Sequence, residues 1–144
     1  MSLKKLKSAK GFTLIELLVV IAIIGILSSV ILASLNTARG KGANAAVKSN
    51  LHGIRSQAEI IYDNNSQNYT DVCSDPNITS AINAAIKAGA DPGDIASRCN
   101  SSQTAWATNV LLKTPEEPNL YWCVDSTGTA KGEPAELAGA TVCS

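Results

Sequence analysis

From Leu17 to Leu35 the chain runs nineteen residues without a charge. At 1.5 Å per residue that is long enough to cross a bilayer as a helix. A carboxylate, Glu16, sits four residues inside the apolar edge at Phe12. Placing a lone carboxylate in hydrocarbon costs at least about 2.5–3.5 kcal/mol, so such a group normally has a partner and a job. Lys4, Lys5, Lys7 and Lys10 precede the run. Cations at that end hold it in the cytoplasm, which puts the N terminus inside and everything after Leu35 outside.

Beyond the apolar run the pattern changes without losing its period. Val47, Leu51, Ile54, Ala58 and Ile61 step by four and three, one apolar stripe at helical spacing. Lys48, Asn50, Arg55, Gln57 and Glu59 lie between them and suit a wet face. The pattern predicts one helix from Phe12 to about Asp63, roughly 78 Å long at the standard rise. Its first half is apolar nearly all round, and its second half lays a stripe on the C-terminal domain. The Asn64-Asn65-Ser66 cluster ends it. Gly25, Gly40 and Gly42 are its weak points, each costing about 1 kcal/mol against alanine.

The remainder alternates short elements with turns. Residues 64–69 read as a polar loop. Asp75-Pro76 starts a helix over about 76–88, with Asp as N-cap, Pro at the first position, Ile78, Ile82 and Ile86 on one face and Gly89 as the stop. Asp91-Pro92-Gly93-Asp94 reads as a turn. Thr104–Leu112 and Leu120–Asp125 read as strands separated by a Pro115–Pro118 loop, and Thr129–Lys131 returns as a third, edge strand after the Ser126-Thr127-Gly128 turn. The expected class is α+β: a long helix whose stripe is covered by one face of a small antiparallel meander, with one short extra helix. Trp106, Tyr121 and Trp122 are expected in the core or on the sheet face.

Composition adds staples to this picture. The exported part is about 80 residues, too few for a generous core. Its four cysteines, Cys73, Cys99, Cys123 and Cys143, read as two disulfides. Zinc is disfavoured because there is no C-x-x-C pair and only one histidine. Three connectivities are open; Cys73–Cys99 with Cys123–Cys143 is favoured because each bridge closes a local unit.

No pattern points to catalysis. There is no nucleophile with a base and no glycine-rich phosphate loop, and His52 flanks the helix stripe without an orienting partner. Asp71, Asp75, Asp91 and Asp94 are acidic residues around predicted loops that could offer oxygens to calcium, but the spacing is not that of an EF-hand, and solvated acidic loops are the ordinary reading. No cofactor is expected. Asn-x-Ser/Thr triplets begin at Asn64, Asn68, Asn77 and Asn100, each read as a loop or loop edge; in so Asn- and Ser-rich a chain about two arise by chance, and they are a weak glycosylation signal.

The stretch Lys10-Gly11-Phe12-Thr13-Leu14-Ile15-Glu16, with the lysine-rich leader and the apolar run, resembles the type IV prepilins and their pseudopilin relatives. The match is close from about Lys10 to Leu35 and looser to about Tyr62. The resemblance implies a leader of residues 1–11, a membrane and polymerisation helix at 12–35, an amphipathic helix at 36–63 and a globular domain at 64–144. It implies cleavage between Gly11 and Phe12 by a prepilin peptidase, methylation of the new amine on Phe12, and self-assembly into a helical filament by a platform protein and motor ATPase. Glu16 is then the fifth residue of the mature chain, placed to meet its own amine or a neighbour's and so to set the register of assembly. Many members carry a proline eight residues after the glycine that aligns with Gly25, and their filaments melt locally between the two; here that position is Ala33, which leaves local melting and close helix packing both open at Gly25.

Such filaments serve adhesion, twitching motility or DNA uptake, and the sequence does not choose among them. Removing the leader takes four lysines from a chain with 12 basic and 12 acidic residues and leaves a formal charge of −4. A mildly acidic surface argues against a filament coated generally with DNA and leaves a minor nucleic-acid role open. A type II secretion pseudopilin is the nearest alternative. A membrane-anchored binding module that never polymerises is a third reading, and it differs in tolerating loss of Glu16.

Overall fold

The computed structural model describes residues 11–89 and 98–144. The leader lysines and the Asp91–Asp94 turn lie outside them. The chain divides into two units, Met1–Thr37 and Ala38–Ser144. One helix, α1 (Leu14–Asn64), contributes to both.

In the first unit the described residues are almost entirely helical and every side chain from Phe12 to Leu35 is exposed, Phe12 at 90%. Leucine, isoleucine and valine crowd this stretch on all faces. The helix is long and apolar enough to cross a membrane by length and composition. Ser29 returns its hydroxyl to the Ile26 carbonyl at 2.7 Å, so this polar group needs no outside partner.

In the second unit α1 contributes its stripe. Val47, Leu51, Ile54 and Ala58 are fully buried, with Ile61 packed at the edge and His52 exposed. The stripe reaches further toward the N terminus than expected, through the buried Asn44 and Gly40. The helix ends where Ser66 and Gln67 turn to positive φ and the Gln67 N–H reaches back to the Tyr62 carbonyl at 2.9 Å. Such a reversal satisfies carbonyls that the last turn leaves open.

A single 3₁₀ turn at Val72–Ser74 follows, then α2 (Pro76–Ala88). The Asp75 carboxylate caps α2, accepting from Asn77 N at 2.8 Å and Ile78 N at 3.1 Å, and proline stands in the first turn. Ile78, Ile82 and Ala85 are buried against the α1 stripe cluster. Gly89 closes the helix at φ −73°, so it is not there for a left-handed turn. A Cβ at Gly89 would collide with the Leu111 carbonyl oxygen, and the close approach is what requires glycine.

Among the described residues four antiparallel strands follow in sequential order: β1 (Cys99–Ser101), β2 (Trp106–Glu116), β3 (Asn119–Asp125) and β4 (Ala130–Glu133). The α+β class and the meander stand as read from sequence, with three differences. β1 is a fourth strand; three residues, two of them polar, carry no legible period, and its Cys99 is held by the bridge to Cys73. The expected Pro115–Pro118 loop shrinks, because β2 continues through Pro115 to Glu116 with an irregularity between Leu111 and Glu116. At this exposed end of the strand the missing N–H of proline is tolerated. The edge strand begins at Ala130, one residue later than expected, because Thr129 is held in the turn by the Asp125 carboxylate.

The sheet has two covered faces. Trp106, Val110, Leu112 and Val124 join the helix stripe in the main core. Ala107 and Cys123, one residue out of phase, pack with Leu137 and Cys143 from the C-terminal segment. Residues 106–110 are therefore all buried, which is the signature of a strand covered on both sides.

Candidate functional site

The first described turn holds the residues singled out for processing and assembly. Gly11 and Phe12 are exposed and precede the helix, whose regular structure starts at Leu14. Thr13 is its cap. The Thr13 N–H and hydroxyl both donate to Glu16 Oε2 at 2.8 Å, and the Glu16 N–H donates to Thr13 Oγ1 at 3.3 Å. This is a reciprocal capping box, in which two helix-end donors are satisfied by two side chains three residues apart. Within one chain, then, the carboxylate's partner is Thr13, one peptide beyond Phe12. The sequence reading assigned Glu16 to an amine and missed Thr13, although the spacing Thr13-x-x-Glu16 in front of an apolar run is the signal for it. The carboxylate faces the N-terminal end of the helix, where Thr13 holds it.

Gly25 lies two and a half turns further on, and a Cβ there would touch nothing within 4 Å. A helix that presents its backbone at one point of an otherwise bulky apolar surface can be approached closely there by another helix.

The cysteines form two bridges, Cys73–Cys99 and Cys123–Cys143. The first ties the 3₁₀ turn before α2 to β1. The second ties the C-terminal segment to the central strand β3. Beside it the Asp125 carboxylate accepts from Thr127 N, Thr127 Oγ1 and Thr129 N on one oxygen and from Cys143 N, at 2.8 Å, on the other. Burial pushes this carboxyl up, but the hydrogen bonds from Cys143, Thr127 and Thr129 outweigh it and hold the group below the usual aspartate range. Arg55 of α1 donates to the Thr129 carbonyl in the same turn. Among the residues set aside for calcium, Asp75 is the cap of α2 and Asp71 accepts from Asn65 at 2.9 Å. Asn77 and Asn100 lie in α2 and β1 rather than in loops. Trp106 is fully buried, and Trp122 packs at the core edge beneath the Lys48 ammonium, 4.3 Å from the ring centre.

Residues 6–32 match the model of the prokaryotic N-terminal methylation motif, a span that contains Gly11, Phe12, Thr13 and Glu16. The chain carries that motif. Over 62 residues it is also 45% identical to the type IV wide pilus major component PilA4 of Thermus thermophilus, over 42% of this chain and 47% of that protein. It thus spans about half the length of the curated relative it matches. No solved structure matches it significantly. The resemblance to pilins drawn from Lys10–Glu16 is borne out by the motif, and the long helix, meander and two bridges make the architecture pilin-like.

Proposed function

We propose that the chain is a structural subunit of a type IV pilus, of the major-pilin kind, that polymerises through residues 12–35. The carrying observation is the apolar helix with every side chain from Phe12 to Leu35 exposed, headed by the methylation motif and a single carboxylate. An apolar surface of that size is stable only in lipid or against other such helices, and a subunit that moves from one to the other has both. The subunit is anchored in the cytoplasmic membrane with its N terminus inside, cut after Gly11, methylated on Phe12, and extracted into a homopolymer by the platform protein and motor ATPase. Glu16 then exchanges its Thr13 contact for the Phe12 amine of a neighbouring copy, because opposite charges in a packed apolar core attract strongly and an unpaired one is costly. The matched relative is named as a pilus component, which favours a pilus over a secretion fibre. The filament serves adhesion, motility or DNA uptake.

The deciding experiment is an intact mass of the chain recovered from sheared cell surfaces. The expected species starts at Phe12, carries one extra methyl and is two hydrogens lighter for each bridge. A species starting at Met1 and found only in membranes would mean an uncut anchor, and the filament reading would fall.

A further inference from the structure

The cations of the second unit are not spread evenly. Lys48 pairs with Glu116, Arg98 with Glu136 and Lys131 with Glu133, and Arg55 donates to the Thr129 carbonyl. Among the described residues the cations left without such a partner are Arg39, Lys41, Lys87 and Lys113, and each is exposed. All but Lys87 lie at one level. Gly40, between Arg39 and Lys41, comes so close to Thr114 that no Cβ fits, and Asn44, one turn on, grips the Thr114 backbone. Lys113, next to Thr114, is thereby held beside the same turn of α1. On residues 36–48 and 112–119 the acidic side chains are Glu116, which Lys48 neutralises, and Glu117. The exposed acids Glu59 and Asp63 stand in the last turns of α1, with Asp71 held nearby by Asn65. About 30 Å of helix separates Arg39 from Glu59.

The basic end is the end next to the apolar run. Arg39 and Lys41 come four and six residues after Leu35. At helical rise that is about 6 and 9 Å. The headgroup layer of one leaflet is roughly 5–8 Å thick, and the aliphatic stems of arginine and lysine let their charges reach back to it. A span that ends at Leu35 therefore delivers both cations to the depth of the lipid phosphates. Lys48, about 20 Å past Leu35, lies beyond that depth, and it is the cation of this end that is paired within the chain.

We propose that Arg39, Lys41 and Lys113 form a collar that docks the second unit on the phosphate groups of anionic phospholipids, with the acidic end of α1 turned to water. The proposal rests on the reading that residues 12–35 cross a membrane. Charge complementarity carries it. Each cation near an anionic surface is worth roughly fivefold in affinity, and the field dies away over a Debye length of about 10 Å at 0.1 M salt. The collar lies within that reach and the acidic end outside it. Turning the unit over would bring Glu59 and Asp63 against the phosphates, so the same field that holds the unit also orients it.

The test uses the full chain, labelled with nitrogen-15, in bicelles of phosphatidylcholine with a rising fraction of phosphatidylglycerol. The amides of Gly40, Gly42 and Thr114 should shift as that fraction rises, and the shifts should collapse at about 0.5 M salt. Arg39→Gln with Lys41→Gln should cut the slope of the Thr114 shift at least about fivefold, and Lys113→Gln should cut that of Gly42 severalfold. Lys87→Gln should change neither. The substituted side chains are exposed, and unchanged amides at the buried Val47 and Leu51 show that each variant is folded. Slow hydrogen exchange from Leu17 to Leu35 in the same sample reports the span itself. With the span protected, shifts that ignore the phosphatidylglycerol fraction, or that follow it equally at Ala88 beside Lys87, overturn the collar and leave the span standing. Rapid exchange there overturns the span reading and the collar with it. Inorganic phosphate added to pure phosphatidylcholine bicelles should move none of these amides saturably; a saturable shift would make this a site for a free anion and overturn the lipid assignment.

Discussion

Asn44 pairs with the backbone of Thr114 as a strand would. Its side-chain Nδ2 donates to the Thr114 carbonyl at 2.7 Å and its Oδ1 accepts the Thr114 N–H at 3.1 Å. The same Nδ2 lies 3.2 Å from Glu116 Oε1, and Lys48, one turn on, reaches that carboxylate at 2.8 Å. The far end of β2 has a break in its pairing with β3 after Leu111, and α1 supplies the missing ladder through one amide. The Lys48 ammonium, then Asn44, hold the Glu116 carboxyl below its ordinary range, against the opposing effect of burial.

Asn44→Ala should therefore cost stability out of proportion to its size. Three hydrogen bonds are lost, two to the Thr114 backbone and one to Glu116, each worth about 0.5–1.5 kcal/mol net, and water replaces part of them at the exposed Thr114 and Glu116. The expected loss is about 1–2 kcal/mol in denaturant unfolding of the full chain, with the slope unchanged. A loss below about 0.3 kcal/mol would show that the pairing contributes nothing, since typical surface substitutions fall within about 0.5 kcal/mol.

The two glycines around Lys41 should behave oppositely, although they look alike in sequence. A Cβ at Gly42 meets nothing within 4 Å, while one at Gly40 would collide with Thr114 Oγ1 and lie 3.3 Å from its Cβ. Gly42→Ala should gain about 1 kcal/mol from helix propensity. Gly40→Ala should not realise that gain, because Thr114 must leave its rotamer. In a Thr114→Ala background the gain at Gly40 should return, a coupling that a double-mutant cycle reads directly. Equal gains at both glycines would contradict the close approach.

Acid should act on the second unit through Asp125. Its folded-state pKa is depressed, so its contribution to stability is complete above the unfolded value of about 3.9 and is lost as pH falls through the folded value. Asp125→Asn should flatten the acid limb of the stability curve below about pH 4 while lowering stability at neutral pH. An unchanged acid limb in the variant would assign acid sensitivity to other groups.

The bridges should be similar in weight. Their sequence separations are 26 and 20, and chain entropy varies slowly with loop length, so each should contribute about 3 kcal/mol. Cys123→Ser should thus lower the abundance and denaturation midpoint of the chain about as much as Cys73→Ser and, on the filament reading, leave cleavage after Gly11 unaffected. Oxidised and reduced protein of equal stability would count against two structural bridges.

What the sequence makes legible here is periodicity and covalent closure. Val47, Leu51, Ile54 and Ala58 show the α1 stripe, Asp75-Pro76 the start of α2, and local cysteine spacing the bridges found. What stays hidden depends on partners distant in sequence. Asn44 and Gly40 continue the same four-three stepping ahead of Val47, but a polar amide and a glycine do not register as apolar positions. Their reason for burial lies at Thr114, seventy residues away. The second sheet face is hidden for a similar reason. The segment that covers it, around Pro134–Ala140, has small residues and no period, and is placed by the Cys143 bridge, by hydrogen bonds that Asn100 and Asn109 donate and by the one that Asp125 accepts from the Cys143 N–H. At the N terminus the capping box is legible in the spacing of Thr13 and Glu16, but the charge on Glu16 points first to an ionic partner.

That charge and that cap can be separated. Glutamine also serves at the third helical position of a capping box, so Glu16→Gln should leave the Thr13 cap and the start of α1 intact. It removes the negative charge that a newly made Phe12 amine would meet. On the filament reading, Glu16→Gln is still cleaved after Gly11, accumulates in the membrane and yields surface filaments reduced at least about tenfold, as loss of one well-desolvated ion pair implies. Thr13→Val does the reverse. It keeps the charge and loses the hydroxyl cap, worth about 1 kcal/mol, so its filaments should be less affected. Measured together by quantifying sheared filaments against membrane-held mature subunit, the two variants separate an electrostatic role from a helix-capping one. If Glu16→Gln assembles as well as the native chain while Thr13→Val does not, the carboxylate acts in this protein as a cap, and the register of any filament must be set elsewhere on α1.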